Sequence, residues 1–385
     1  MKKLIAVSLF VFCLFSAFSF GGLGTASADE LNCKSYYLTD YDTGTVLSSY
    51  NENERRPIAS MVKIMTLLLG YEAVDDGRIS LDQEVTISEN ASSMGGSQMF
   101  LESGDVYKVS DLLKGITVVS ANDASVQMAE VIDGSVEKFV SRMNAKASAL
   151  GMKDTVFVNC TGLPADGQYS TARDVSIMMK ELLKHKEYFN YSKTYIEDYT
   201  HPDGRVTQFV NTNKLVRFYS DCDGGKTGFT NDAKFCLSAT AKRGDLRVIA
   251  TVLGGDDSKT RFNTVTKLFN YAFSQYEKEI FVTKTPIENN IVVENGKSER
   301  IAIEPSGELS MLIKKSERKN YVVKVELADK ISAPIAVGDV IGKIYVENEK
   351  GERVLETDLI SLDKIEKETY FDILKRVIEA WPILG

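Results

Sequence analysis

Histidine is nearly missing from this chain. Among 385 residues there are two, His185 and His201, a poor basis for a Ser-His-Asp triad and too few for a histidine-rich metal site. No CxxC pair occurs, which removes the common zinc and redox signatures. A glycine-rich phosphate loop, internal repeats and low-complexity tracts are also missing; Gly95-Gly96 and Gly254-Gly255 read as loop signals only. Basic residues are outnumbered, 46 Lys and Arg against 54 Asp and Glu. A net charge of −8 argues against nucleic acid as the main partner.

The N-terminus carries a compartment signal. Lys2 and Lys3 precede a nearly continuous apolar run from residue 4 to residue 20, and Ala26-Ser27-Ala28 forms a small-x-small cleavage site before Asp29. This predicts a secretory signal peptide over residues 1–28 and export of the rest. Cys13 lies inside the apolar run, away from the cleavage site, and is not read as a lipid attachment point. Four cysteines remain, Cys33, Cys160, Cys222 and Cys236. In an exported chain they allow two disulfides in three connectivities, or four buried thiols.

Residues 34–50 read as two strands around a turn at Asp42-Thr43-Gly44. From Ser60 to Ala73 the apolar residues Ile64, Leu67, Leu68 and Tyr71 recur at helical spacing and predict one buried face. Residues 75–190 are mostly helical in pattern. Lys234–Ala241 and Leu246–Gly254 read as a hairpin turning at Arg243-Gly244-Asp245, and Phe262–Phe273 as a closing helix. Val and Ile then dominate to about residue 363, with turns at Asn295-Gly296, Ser306-Gly307 and Lys350-Gly351, which predicts a small all-β domain. The tail changes again. Tyr370, Ile373, Leu374, Val377, Ile378 and Trp381 share one helical face, opposite Asp372, Lys375, Arg376 and Glu379. The tail is too short and too charged to span a membrane, and reads as an amphipathic helix lying on one. The alternative is a terminal helix packed on the β-domain.

Three short motifs carry chemistry: Ser60-Met61-Val62-Lys63, Ser120-Ala121-Asn122 and Lys226-Thr227-Gly228. Each of the first two is weak alone. Ser-x-x-Lys recurs at Ser135, Ser316 and Ser361, and Ser-x-Asn at Ser49 and Ser88, where solvated surface or helix capping explains it. Together they supply a nucleophile, a lysine base three residues on, a second hydroxyl, an amide and a cationic strand edge, a kit for acyl transfer through a serine ester. Ser60 and Lys63 meet on one helix face. Burial and a nearby Lys226 would both lower the Lys63 pKa. Ser120 would relay a proton and Asn122 would hold a substrate amide. Lys226 and Thr227 offer donors to a carboxylate, and Gly228 would let a substrate backbone approach the strand edge. Arg261 is a further carboxylate clamp, or a surface ion pair.

The motifs, their order and their spacing resemble the low-molecular-mass penicillin-binding proteins, the serine-type D-alanyl-D-alanine carboxypeptidases. The resemblance extends to Gly151-Met152, Thr155, Phe157, Gly162-Leu163, Gly167-Gln168-Tyr169-Ser170, Ala172-Arg173-Asp174 and Val252-Leu253-Gly254-Gly255. It implies an α/β (α+β) penicillin-recognising fold, an antiparallel sheet flanked by helices. The expected order is a catalytic domain over 29–277, a small β-rich domain over 278–365 and a membrane-associating tail over 366–385. It implies that Ser60, Lys63 and Ser120 are catalytic, that Asn122, Lys226, Thr227, Gly228 and Arg261 bind substrate, and that the backbone N–H groups of Ser60 and Phe229 form the oxyanion hole. Phe229 and Thr161 stand where some members carry histidine. The implied substrate is peptidoglycan pentapeptide, the implied inhibitors are β-lactams, and no metal or cofactor is required. The implied location is outside the cytoplasm, with the C-terminal helix on the outer face of the cell membrane. A serine β-lactamase, a D,D-endopeptidase and a catalytically retired wall-binding scaffold are the competing readings. The absence of glutamate between Glu137 and Glu181 counts against the β-lactamases that deacylate through a loop glutamate.

Overall fold

A computed structural model describes residues 31–380. The expected signal peptide and Trp381 lie outside the described residues. The chain opens with β1 (Ser35–Asp40) and β2 (Val46–Tyr50), an antiparallel pair. The Asp40 carboxylate accepts from Thr43 N at 2.7 Å, and Gly44 takes a positive φ of 73°, which closes the turn between the strands. A single 3-10 turn, Ala59–Val62, leads into α1 (Lys63–Asp75). Two small hairpins follow at intervals, β3 (Glu84–Thr86) with β4 (Val106–Lys108) and β5 (Ile196–Thr200) with β6 (Val206–Val210). Between them lie helices over residues 109–118, 122–133, 136–149 and 172–182.

The main sheet is completed by β7 (Cys222–Thr230), β8 (Lys234–Arg243) and β9 (Leu246–Gly255), in the order β2-β1-β9-β8-β7. The helix over 172–182 covers one face and α2 (Ser258–Gln275) the other. Because both faces are covered, β8 and β9 are buried along most of their length instead of alternating. Arg247 on β9 reaches across β8 to Asp223 on β7 with two bonds of 2.7 and 2.8 Å, tying the edge strand into the sheet.

One expectation needs correcting and another a detail added. α1 is not a one-faced helix: Ile64, Met65, Leu67, Leu68, Leu69, Gly70, Tyr71 and Ala73 are all buried. Its sequence is mostly apolar, and the helices over 109–118, 122–133, 136–149 and 172–182 pack around it. Residues 75–190 also include the β3–β4 hairpin, whose three-residue strands are too short to show a period.

Past α2 the chain builds a separate core of Ile303, Ile344, Val346, Leu359 and neighbours. It contains β10 (Tyr276–Val282) paired with β13 (Leu309–Lys314), β11 (Val292–Glu294) with β15 (Lys330–Ser332), and a four-stranded sheet. In that sheet β12 (Ile303–Pro305), β17 (Arg353–Ser361), β16 (Val340–Asn348) and β14 (Tyr321–Leu327) lie in that order. The turn residues named from sequence separate these strands. Lys278 links the two units, with its ammonium 2.8 Å from Asp42 and 3.0 Å from Glu308. α3 (Tyr370–Ala380) ends the described chain; Tyr370, Phe371 and Ile378 are exposed, so the apolar face is not packed on the β-domain. Among the described residues no helix is long and apolar enough to cross a membrane.

The four cysteines among the described residues are all free thiols. Cys160, Cys222 and Cys236 are buried, and burial pushes their pKa values up to about 12, 12 and 11.

Candidate active site

The nucleophile segment is held under backbone constraint. Ala59 has a positive φ of 48°, a left-handed conformation that costs an alanine roughly 1–2 kcal/mol. It turns Ser60 into the 3-10 turn, so that Ser60 Oγ lies 3.1 Å from Lys63 Nζ. Lys63 is fully buried, and its ammonium also donates to the Thr161 carbonyl. Burial lowers its pKa to about 7, while Cys160 and Asp123 pull it slightly the other way. The depression therefore comes from desolvation and not, as expected, partly from a neighbouring cation.

Thr161 and Gly162 reach this point through an Asn159 turn. The Asn159 side-chain oxygen accepts from Thr161 N at 3.1 Å and Gly162 N at 2.7 Å. Gly162 then packs directly on the nucleophile's backbone, where a Cβ would lie 2.0 Å from the Ala59 oxygen and 2.8 Å from Ser60 N. Sequence reasoning placed no functional weight on Asn159; the Asn-x-x-Gly spacing of a turn was the available signal.

Ser120 also has a positive φ, 66°, and its hydroxyl accepts from Lys226 Nζ at 2.7 Å. Lys226 is buried, and its pKa falls well below the ordinary range, first through burial and then through the charges of Lys63 and Arg261. Asn122 opens the helix over 122–133. It donates from its backbone to Ser97 O at 2.7 Å and from Nδ2 to Gly95 O at 2.6 Å, leaving Oδ1 buried without a partner. The next residue, Asp123, was not singled out from sequence. Its carboxylate accepts from the backbone N–H groups of Met99, Leu101 and Ala124, and so fixes the loop that holds Asn122.

Lys226-Thr227-Gly228 lies on β7, a separate edge strand beside the expected hairpin. Gly228 is also needed for a reason the sequence does not show. A Cβ there would meet the Ile58 carbonyl at 2.4 Å, so the glycine admits the protein's own nucleophile segment against the strand. Phe229 is half-exposed and its ring sits 4.4 Å from that of Phe235. Arg261, in the first turn of α2, is 7 % exposed and makes no surface ion pair among the described residues. It donates weakly to Gly228 O and Cys236 O at 3.3 Å, stacks over Phe262, and leaves Nε unpartnered. Among the described residues no group of three His, Cys, Asp or Glu side chains is placed to hold a metal ion.

The repeated motifs elsewhere take the bland roles. Ser135 and Ser88 accept backbone N–H groups as helix caps, and Ser361 bonds the backbone at Asp363.

A serine against a buried lysine, with a second serine–lysine pair close enough for the Lys63 charge to lower the Lys226 pKa, beside a helix-flanked antiparallel sheet, fits the penicillin-recognising class of serine enzymes. Residues 23–257 match the family described as D-alanyl-D-alanine carboxypeptidase, and residues 276–367 match the penicillin-binding protein 5 C-terminal domain. The chain belongs to the D-alanyl-D-alanine carboxypeptidase family and is a serine peptidase. It is 43% identical to D-alanyl-D-alanine carboxypeptidase DacF of Bacillus subtilis (strain 168), over 99% of both chains. It is 32% identical to D-alanyl-D-alanine carboxypeptidase DacC of Escherichia coli (strain K12), over 96% of this chain and 93% of that one. Penicillin-binding protein 5 of Haemophilus influenzae superposes with a TM-score of 0.67 at 29% identity, covering 87% of this chain and 98% of the other.

Proposed function

We propose that the chain removes the terminal D-alanine from peptidoglycan pentapeptides through an ester on Ser60. The observation that carries this reading is the 3.1 Å contact between Ser60 Oγ and a fully buried Lys63 that is neutral above about pH 7. Neutral Lys63 takes the Ser60 proton as Oγ attacks the carbonyl of the penultimate D-alanine. The N–H groups of Ser60 and Phe229 hold the developing oxyanion. Ser120, tied to Lys226, passes a proton to the departing D-alanine nitrogen. Water then attacks the ester and restores Ser60. Asn122 holds the acyl-side amide, and Lys226, Thr227 and Arg261 hold the terminal carboxylate.

The test is made on the mature chain. It should release D-alanine from an acyl-D-alanyl-D-alanine peptide, and peptide mapping after brief benzylpenicillin treatment should place one adduct on Ser60. Consumption of the drug without a lasting adduct would replace this reading with a β-lactamase.

The protein acts outside the cytoplasm in this reading, delivered by residues 1–28 and held to the membrane surface by α3. The half-exposed stripe of Ile373, Leu374 and Val377 with exposed Tyr370 and Phe371 supports that role. The mature chain should co-sediment with phospholipid vesicles, and a chain ending at residue 365 should stay in the supernatant. Equal sedimentation of the two would remove the tail from the account.

A further inference from the structure

β7 is the edge of the main sheet, so one side of its backbone has no neighbouring strand to bond. Just before the Lys226-Thr227-Gly228 motif, three side chains take the open backbone groups. Ser192 Oγ donates to Asp223 O at 2.6 Å, and Asn213 Nδ2 donates to Gly224 O at 3.2 Å. The third bond is the one nearest the motif: Gly225 N donates to the Tyr188 hydroxyl at 3.0 Å, and that hydroxyl lies 3.5 Å from Gly225 O.

Tyr188 closes a 3-10 turn, Lys186–Tyr188, and is buried. The strand is pressed between its ring and β8. A Cβ on Gly224 would lie 3.0 Å from Tyr188 Cε1, and one on Gly225 would lie 2.7 Å from Ser238 O and 2.8 Å from Ala239 Cα. Gly225 also has a φ of 147°, which side-chain-bearing residues avoid. The path of β7 at this point is therefore set by what holds it on either side. The Tyr188 ring in turn stands edge-on to Tyr71, with centroids 6.3 Å apart and planes at 83°. Tyr71 lies on α1, the helix that begins at Lys63. One side chain thus spans from the nucleophile's helix to the strand that carries Lys226.

We propose that Tyr188 is a positioning residue for Lys226. Its bond to Gly225 fixes β7 one residue before Lys226 and so keeps the ammonium 2.7 Å from the Ser120 hydroxyl, where the carboxylate of the substrate is held. This rests on the carboxypeptidase reading, in which Lys226 binds that carboxylate. Without the Tyr188 hydroxyl the Gly225 N–H is left buried and unpaired, and the strand moves to relieve it. A displacement there falls on the interaction that depends on where the Lys226 ammonium sits.

The experiment compares acylation of the mature chain by benzylpenicillin and by its methyl ester, followed by intact mass. In the wild type the free acid should react about 100-fold faster than the ester, because its carboxylate meets Lys226. In Tyr188→Phe the rate with the acid should fall about tenfold and the rate with the ester should hardly change, so the ratio falls to about ten. The phenylalanine keeps the ring, and the unfolding midpoint checks the fold. The ratio is taken within one protein, so any loss of correctly folded molecules cancels. An unchanged ratio, with both rates lowered equally or not at all, would overturn the inference and leave Tyr188 as packing alone. Failure of the underlying reading looks different: a wild type that treats acid and ester alike would remove Lys226 from carboxylate binding, and with it this role for Tyr188.

Discussion

Lys63→Ala lowers the rate at which benzylpenicillin acylates Ser60 by about 10³-fold. The ammonium is the group within 3.1 Å of Ser60 Oγ, and its other bond goes to the Thr161 carbonyl, which takes no proton. The pH profile of the wild type carries the same information. A base works in its neutral form, so acylation should rise with pH and level off above about 7, where burial has placed the Lys63 pKa. Below that point the neutral fraction, and with it the rate, drops by about tenfold per pH unit. Lys63→Arg keeps a cation that does not deprotonate in this range and should be inactive at every pH. Thermal unfolding of the alanine variant separates lost chemistry from lost fold; removing a buried, poorly solvated amine should not lower its midpoint. A flat wild-type profile from pH 5.5 to 8.5, or a Lys63→Arg enzyme with wild-type rates, would remove Lys63 as the base.

Gly162→Ala should be nearly as damaging although Gly162 supplies no functional side chain. Its φ of 82° strains any L-residue by roughly 1–2 kcal/mol. The new methyl would also sit 2.0 Å from the Ala59 oxygen and 2.4 Å from its carbonyl carbon. These are backbone atoms, so relief requires moving Ser60 itself, and overpacking of this kind costs about 1–3 kcal/mol more. A shift of this size at the nucleophile lowers acylation by about 100-fold. Gly151→Ala is the control. Gly151 has a similar φ of 73° but nothing within 4 Å of a Cβ. It should lose stability to the strain alone and keep full acylation rates. If the two variants acylate equally well, the contact at Ala59 has no catalytic consequence.

The motif residues were legible because each is a short local pattern, and the turns of the β-domain because Asn-Gly, Ser-Gly and Lys-Gly pairs mark strand ends wherever they fall. The assembly of the site was less so. Lys63 meets the Thr161 carbonyl across 98 positions and Lys226 meets Ser120 across 106. A carbonyl acceptor has no signature of its own, since every residue carries one. Asp123 was invisible for the same reason, because its partners are backbone N–H groups of a distant loop. For Gly228 one neighbour was missed, the Ile58 carbonyl. Sequence shows that a Cβ is missing without showing which surface occupies the space. α1 was misread because a period describes one face, and from Lys63 to Tyr71 this helix turns no face to water.

The buried thiols decide where this protein can be made. A thiol with a pKa of about 12 is ionised in roughly one molecule in 10⁵ at neutral pH, and the thiolate is the form that attacks disulfides and reacts with oxidants. Cys160 and Cys236 sit in the core that contains α1, and Cys222 in the core beneath α2. Neither core depends on a cross-link to hold. With none of the four described cysteines in a disulfide, a reducing environment would take no bond from either core.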